Sequence, residues 1–358
     1  MNHQRPLRLT MIAPTRMDCG VADYTRYLVH ELESLSQVCH VAPPDEFTSE
    51  MNDVDIVHIQ HQYFVFGGVA PWKNRFKRLV DRLKTPAVMT VHEFVPPTGN
   101  FAARAAIAAS NRVQFEHPAV LRLITHTEMD RDRMIRSGIP PGRVSLVRHG
   151  IPNPPVLPHR DDARSALGLS DRFVVTIFGY ISQKKGHLLA IEAVRRLPDD
   201  VTLIIAGGRH FDDTTPHTST LEEAILKYEM ADRVRITGYL PSDRVALVMS
   251  ATDLALAPFT ESSGSGSLAL GFACARPILA SDIPPHQEIA RGAVRPLQLF
   301  MSGSPDALAE EILRLRNEPD IRAELSANAA EYSRANSYAR AAEQMVEIYR
   351  DVLGEVSD

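Results

Sequence analysis

Residues 258–282 read PFTESSGSGSLALGFACARPILASD. The apolar run Leu254 to Ala257 stops at Pro258, a carboxylate follows at Glu261, and Ser262 to Ser267 are serine and glycine only. Leu268 to Ala275 then has helical character, and Pro277 to Ala280 reads as a further strand. Strand, glycine-serine loop, helix and strand is the order of a parallel α/β unit. A loop opening a helix presents backbone N–H groups without intrahelical partners, at the positive end of the helix dipole. Glycines let a ligand approach that backbone closely, so the stretch predicts an anion site suited to a diphosphate. A flexible connector has the same composition, but its placement between strand and helix argues against that reading.

The same alternation runs outward in both directions. Upstream, Phe173 to Phe178 is a strongly apolar strand, Gly179 to Gly186 a polar loop and His187 to Leu197 a helix. Val201 to Ala206 and Val234 to Thr237 are further strands, and Arg209 to Ser219 reads as a flexible loop. The N-terminal half holds strand candidates at Leu7 to Ala13, Ile56 to Ile59, Ala87 to Val91, Leu121 to Thr125 and Val144 to Val147. Val21 to Leu35 has helical spacing through Tyr24, Leu28, Leu32 and Leu35. Such short apolar runs separated by helices mark parallel strands covered on both faces. PNPPVLP at 152–158 can continue neither a helix nor a central strand and reads as a linker. The expectation is α/β: two Rossmann-like doubly wound domains, 1–158 and 159–337, facing a cleft, with an amphipathic helix at about 338–353 packing back on the first.

Bulk properties fit this. A length of 358 residues suits two domains, and 44% hydrophobic with 23% charged residues is globular composition. The mean hydropathy is -0.15, with no apolar run of the roughly 18 residues a transmembrane helix needs. A net charge of -5 argues against nonspecific nucleic-acid binding. The three cysteines, Cys19, Cys39 and Cys274, lie far apart without CxxC spacing, which favours a reducing compartment and predicts a cytoplasmic protein. No His/Cys cluster has metal spacing. Asp53 and Asp55 form a literal Asp-x-Asp, but they precede a strand, away from the ligand side of such sheets.

With these residues in hand, the chain resembles the GT-B retaining glycosyltransferases of family 4. The 258–282 stretch is similar to their donor-site motif, in a branch reading roughly Ser-Gly-Thr-Leu at the helix start, here Ser265, Gly266, Ser267 and Leu268. MIAPTRMDCGVADYTRYLVHEL resembles the glycine loop and first helix, with Gly20 at the loop. HIQHQYFVFGG resembles a strand-plus-loop signature of the same branch, TVHEF the strand end carrying the active-site histidine, RHGIPNP the linker segment, and FGYISQKKG the second domain's first strand with its phosphate-facing lysine. The pieces keep their order along nearly the whole chain.

The resemblance implies roles residue by residue. Lys185 contacts the donor diphosphate, together with Gly179 and the helix start, and Glu261 binds hydroxyls of the donor sugar. His92 is the donor-sugar contact from the first domain. The base of the nucleotide rests near Gly238 and Tyr239, although an aromatic at a strand end is more often core. Gln60, His61, Phe66, Gly67 and Gly68 line the acceptor side. His58, His126 and His149 also fall near strand ends. The implied reaction moves a hexose from a UDP- or GDP-linked sugar to a hydroxyl of a sugar, lipid-linked or small-molecule acceptor. Stereochemistry is retained by front-face attack in which the donor phosphate accepts the proton, so the resemblance implies neither a metal nor another cofactor. The chain departs from the family's pattern in three places. Ala269 or Leu270 stands where a second Glu is expected, Tyr180 and Ser182 occupy the candidate positions of an arginine, and Ala275 replaces a usual glycine.

Two other readings stay open on this sequence: a catalytically silent interaction subunit of the same fold, and a nucleotide-sugar 2-epimerase. PWKNRFKRLVDRLK at 71–84 sets Trp72, Phe76, Leu79, Val80 and Leu83 at helical spacing among six cations. That stripe either packs on its own domain's sheet or, through 72–84, meets an anionic membrane surface.

Overall fold

The structure, a computed structural model, describes residues 5–15, 19–35, 37–68, 75–209, 217–261 and 266–357. Two compact units divide the chain: Met1–Gly150 with Tyr338–Asp358, and Ile151–Ser337.

The first unit holds strands β1 (Arg8–Ile12), β2 (Val38–Ala42), β3 (Ile56–His61), β4 (Ala87–Val91), β5 (Val120–Thr125) and β6 (Val144–Leu146). They pair in the order β2-β1-β3-β4-β5-β6, every pairing parallel. The second unit holds β7 (Phe173–Phe178), β8 (Val201–Ala206), β9 (Val234–Ile236), β10 (Leu254–Ala257), β11 (Ile278–Ser281) and β12 (Gln298–Phe300). Their order is β12-β11-β10-β7-β8-β9, again parallel throughout. Counted within its own unit this is the 3-2-1-4-5-6 order of a dinucleotide-binding sheet, whose direction of winding reverses between β7 and β10. The first sheet is the 2-1-3-4-5 variant, reversing between β1 and β3.

The strands are central because they are apolar on both faces: every residue of β3, β4 and β8 is buried. Side chains alternate across the pleat. In β3, Val57 and Ile59 join a core with Phe66, Phe76 and Phe115, while Ile56 faces a second core built with helix Gly20–Ser34 and helix Tyr338–Ser357. The C-terminal helix puts Tyr338, Ala341, Ala342, Met345, Tyr349 and Val352 into that second core, at three- and four-residue spacing.

The chain crosses between units earlier than the proline stretch suggests. The N–H of Ile151 donates to the carbonyl of Asn336, 2.9 Å away, and Ile151 bridges Ser337. Outgoing and returning chain therefore lie side by side at Gly150/Ile151, and residues 152–158 belong to the second unit. Two strands had no sequence signal, β2 and β12. Both are edges, where one partner suffices and the residues are partly exposed. Helix His217–Lys227 takes up part of what read as loop.

Phe76–Val80 is helical within the basic stretch, and Phe76, Leu79 and Val80 are buried in the first unit's core. Trp72 and Lys73 lie outside the described residues. The apolar side of Phe76–Val80 is thus spent internally, and Lys77 pairs with Asp81 at 2.8 Å. Among the described residues no helix is long and apolar enough to cross a membrane.

Candidate active site

In the second unit Gly179, Lys185 and Ser267 gather where the winding reverses. Gly179 follows β7 with φ of 105°. A Cβ there would lie 2.3 Å from Ser267 Oγ and 2.4 Å from Lys185 Nζ, so only glycine leaves room for both. Lys185 ends a short turn at Gln183–Lys185 and Gly186 caps helix His187–Val194 with φ of 66°. A Cβ on Gly186 would sit 2.0 Å from the carbonyl oxygen of Pro258, which fixes the lysine loop against the end of β10. The loop is tied again where Thr260 N–H donates to the Lys184 carbonyl at 2.8 Å.

Lys185 Nζ donates to Ser267 Oγ at 2.5 Å. Burial pushes its ammonium down to about 8, because removing a charge from water disfavours the charged form. Ser267 is the second residue of helix Gly266–Ala273, so the cation lies beside the positive end of that helix's dipole. Burial is the cause of the shift, and among the described residues no carboxylate offsets it. Gly266 begins the helix and is exposed. Leu268, expected against the donor, is instead 7% exposed and packs with Phe259 and Phe272; it anchors the helix start from beneath. Ser265 lies outside the described residues. Ala275 ends the helix segment with φ of 49°, the left-handed conformation that explains why glycine is usual there.

Glu261 is exposed and pairs with Lys184 at 2.9 Å. Ala269, one of the two positions for a second Glu, is buried at 3%, so no carboxylate fits there. Gly238 follows β9 with φ of 70°, and Tyr239 is 75% exposed. That overturns the core reading of Tyr239: the ring has no interior partner and is open to stack on a ligand. His187, which the sequence did not single out, is fully buried. Its ring centroid is 6.2 Å from that of His217.

In the first unit His92 follows β4 and is half-buried. Its Nε2 is 2.9 Å from Gln60 Oε1, and its ring lies 4.8 Å from Tyr24 and 5.2 Å from His126. His126 is in turn 5.3 Å from His149. Desolvation, then the neighbouring imidazoles, holds His92 well below its ordinary value, so the ring is neutral at physiological pH. Gly20 opens helix Gly20–Ser34.

Of the acceptor-side set, Gln60, His61 and Phe66 are buried. Gln60 and His61 are both wholly buried and point to opposite faces of β3, because neighbours on a strand alternate. Gln60 holds His92. His61 bonds Gln114 at 2.7 Å and stacks on Phe66 at 5.5 Å, so both rings are core. Gly67 and Gly68, with φ of 95° and 98°, close the turn after Phe66. Asp55 receives Arg5 at 2.7 Å and Asp53 is near Arg8, so the Asp-x-Asp is tied to arginines. Among the described residues no group of three His, Cys, Asp or Glu side chains could hold a metal ion.

Comparison with known proteins matches both units. Residues 159–332 match the family model "Glycosyl transferases group 1" and residues 40–153 the model "Glycosyltransferase Family 4". The 2-deoxystreptamine glucosyltransferase of Streptomyces kanamyceticus is 29% identical over 158 residues, 43% of this chain but only 39% of that relative's length. The D-inositol 3-phosphate glycosyltransferase of Saccharomonospora viridis is 26% identical over 344 residues, covering 89% of this chain and 75% of the relative. Among solved structures, Anabaena HepE in complex with UDP-glucose has a TM-score of 0.78 at 16% identity, covering 96% of this chain and 100% of that one.

Proposed function

We propose that this GT4-like chain of the GT-B fold transfers a hexose from a UDP- or GDP-linked sugar to a hydroxyl acceptor, with retention of configuration. The observation that carries the reading is the pairing of Lys185 with Ser267 at the N-terminus of a helix, at the reversal point of a dinucleotide-type sheet. Such points bind ligands, and a desolvated ammonium beside a helix N-terminus matches a pyrophosphate. As the glycosidic bond breaks, the leaving diphosphate gains negative charge, so a fixed cation stabilises the transition state more than the bound substrate.

In this reading Glu261 accepts hydrogen bonds from donor-sugar hydroxyls, Tyr239 stacks on the base, and His92 contacts the sugar. The donor phosphate takes the acceptor's proton, and no metal or other cofactor takes part. The acceptor is a sugar, a lipid-linked sugar or a small polyol. The D-inositol 3-phosphate and 2-deoxystreptamine named for the relatives are polyhydroxylated rings, which supports a compact acceptor. Three free cysteines, two of them buried, fit a cytoplasmic site of action.

Thermal stabilisation by UDP, GDP, ADP and dTDP tests the donor. One of them at a hundred times its dissociation constant should stabilise the fold by about 2.7 kcal/mol. Stabilisation by none would remove the reading, and would leave the silent-subunit alternative. Activity that depends strictly on added Mn²⁺ would remove the metal-free part.

A further inference from the structure

Four buried side chains of the first unit form one hydrogen-bonded file from the C-terminal helix to His92. Tyr349 Oη is 2.6 Å from His58 Nδ1, His58 Nε2 is 2.8 Å from Thr90 Oγ1, and Gln60 Nε2 is 3.3 Å from His58 Nε2. Gln60 Oε1 then meets His92 Nε2 at 2.9 Å. We propose that Tyr349, on the last helix, is a positioning residue that sets the tautomer of His92 through His58 and Gln60. The proposal rests on His92 acting at the donor sugar, as above.

The polarity of the file follows from which atoms are able to donate. An amide nitrogen only donates, so His58 Nε2 is the acceptor for Gln60 Nε2 and, nearer at 2.8 Å, for the Thr90 hydroxyl, which turns its O–H toward the ring. His58 must then carry its proton on Nδ1 and donate it to the Tyr349 oxygen. The other N–H of Gln60 points at Met11 Sδ, 3.0 Å away. That leaves the amide oxygen toward His92, whose Nε2–H donates to it. The acceptor lone pair of His92 is therefore on Nδ1, and the ring accepts rather than donates there. Every member except His92 is 1% exposed or less, so no bulk water substitutes for a missing partner.

Removing the Tyr349 oxygen leaves His58 Nδ1–H buried and unpaired. The low-cost response is for His58 to move its proton to Nε2, where the Thr90 oxygen at 2.8 Å accepts it; the Gln60 NH₂, now facing an N–H, turns over toward His92. His92 then holds its proton on Nδ1 and loses the acceptor. A carboxylate at position 60 has no NH₂ to present, so it accepts from His92 Nε2–H whichever tautomer His58 adopts.

Long-range ¹H–¹⁵N NMR of the imidazoles reads the tautomers in the full chain without substrate. The expected result is Nε2–H at His92 in the unaltered protein, Nδ1–H in Tyr349→Phe, and Nε2–H restored in Tyr349→Phe with Gln60→Glu. With substrate, Tyr349→Phe should lower kcat at least tenfold with KM within twofold. Gln60→Glu alone should raise the His92 pKa, adding an acid limb to the rate profile. The other ionisable groups around His92 (Tyr24, His58, His61, His126, His149 and the adjoining Glu93) are unaltered in these variants. An unchanged His92 tautomer in folded Tyr349→Phe overturns the proposal. If that variant does not fold, an unmoved His92 titration in Gln60→Glu overturns it. A switched tautomer with unchanged kcat overturns the catalytic consequence but leaves nucleotide binding at Lys185 untouched, so the two readings fail separately.

Discussion

Lys185 Nζ and Ser267 Oγ meet at 2.5 Å in the space that a side chain on Gly179 would occupy. Two side chains, one from the loop after β7 and one from the start of helix Gly266–Ala273, thus depend on one missing Cβ. Gly179→Ala must displace the lysine or the serine and also hold alanine at φ of 105°. Strain of this kind costs about 1–3 kcal/mol. We predict a lowered melting temperature together with lost stabilisation by nucleoside diphosphate, measured in the same thermal-shift series.

The lowered ammonium of Lys185 makes nucleotide affinity pH-dependent. Below about 8 the free protein already carries the charge, and above it the diphosphate must restore a proton. Affinity measured by calorimetry should be flat up to about pH 8 and fall up to tenfold per pH unit above it. Lys185→Arg, charged throughout this range, should bind more weakly but without that limb.

The same shift has an opposite sign for stability. A lysine whose pKa is lower folded than unfolded costs stability below its folded value, and the cost fades as pH rises from about 8 towards 10.5. Lys185→Ala without ligand should therefore melt no lower than the unaltered protein at pH 7, while turnover is abolished. Denaturation midpoints with and without UDP separate the two effects.

Tyr239 has 75% of its surface exposed, so Tyr239→Ala should change folding stability by less than about 0.5 kcal/mol. Base stacking on an aromatic is worth about 1–3 kcal/mol, so nucleotide affinity should drop about five- to a hundredfold. A large stability loss with unchanged affinity would return the ring to a packing role.

Glu261 and Lys184 are both more than half exposed, and such a pair contributes about 0–1 kcal/mol. Glu261→Gln should leave the melting temperature nearly unmoved. It should lower kcat/KM for the sugar nucleotide by about 1.5–3 kcal/mol, the range for a hydrogen bond to a charged group. Affinity for the nucleoside diphosphate alone should stay the same.

The second unit was the more legible in sequence because its chemistry is local. Gly179, Lys185 and Gly186 lie within one short stretch of sequence, Glu261 to Leu268 within another, and both follow strands with strong apolar runs. Leu268 was misplaced because a residue next to a ligand loop and a residue under it look alike in sequence; only packing against Phe272 tells them apart. Gln60 and His61, set on the acceptor side by the family resemblance, are wholly buried because β3 is covered on both sides, which their polar character does not reveal in sequence. The file from Tyr349 to His92 had no signal at all, since His58 and Tyr349 stand 291 residues apart. The edge strands β2 and β12 lacked the dense apolar runs that revealed the centre of each sheet.

The account turns on where the pyrophosphate sits, and a crystal structure with bound UDP-sugar or GDP-sugar measures that directly. The account predicts phosphate oxygens within about 2.7–3.2 Å of both Lys185 Nζ and the backbone N–H groups at Gly266 and Ser267. Phosphates lodged elsewhere, with Lys185 still bonded to Ser267 alone, would contradict it.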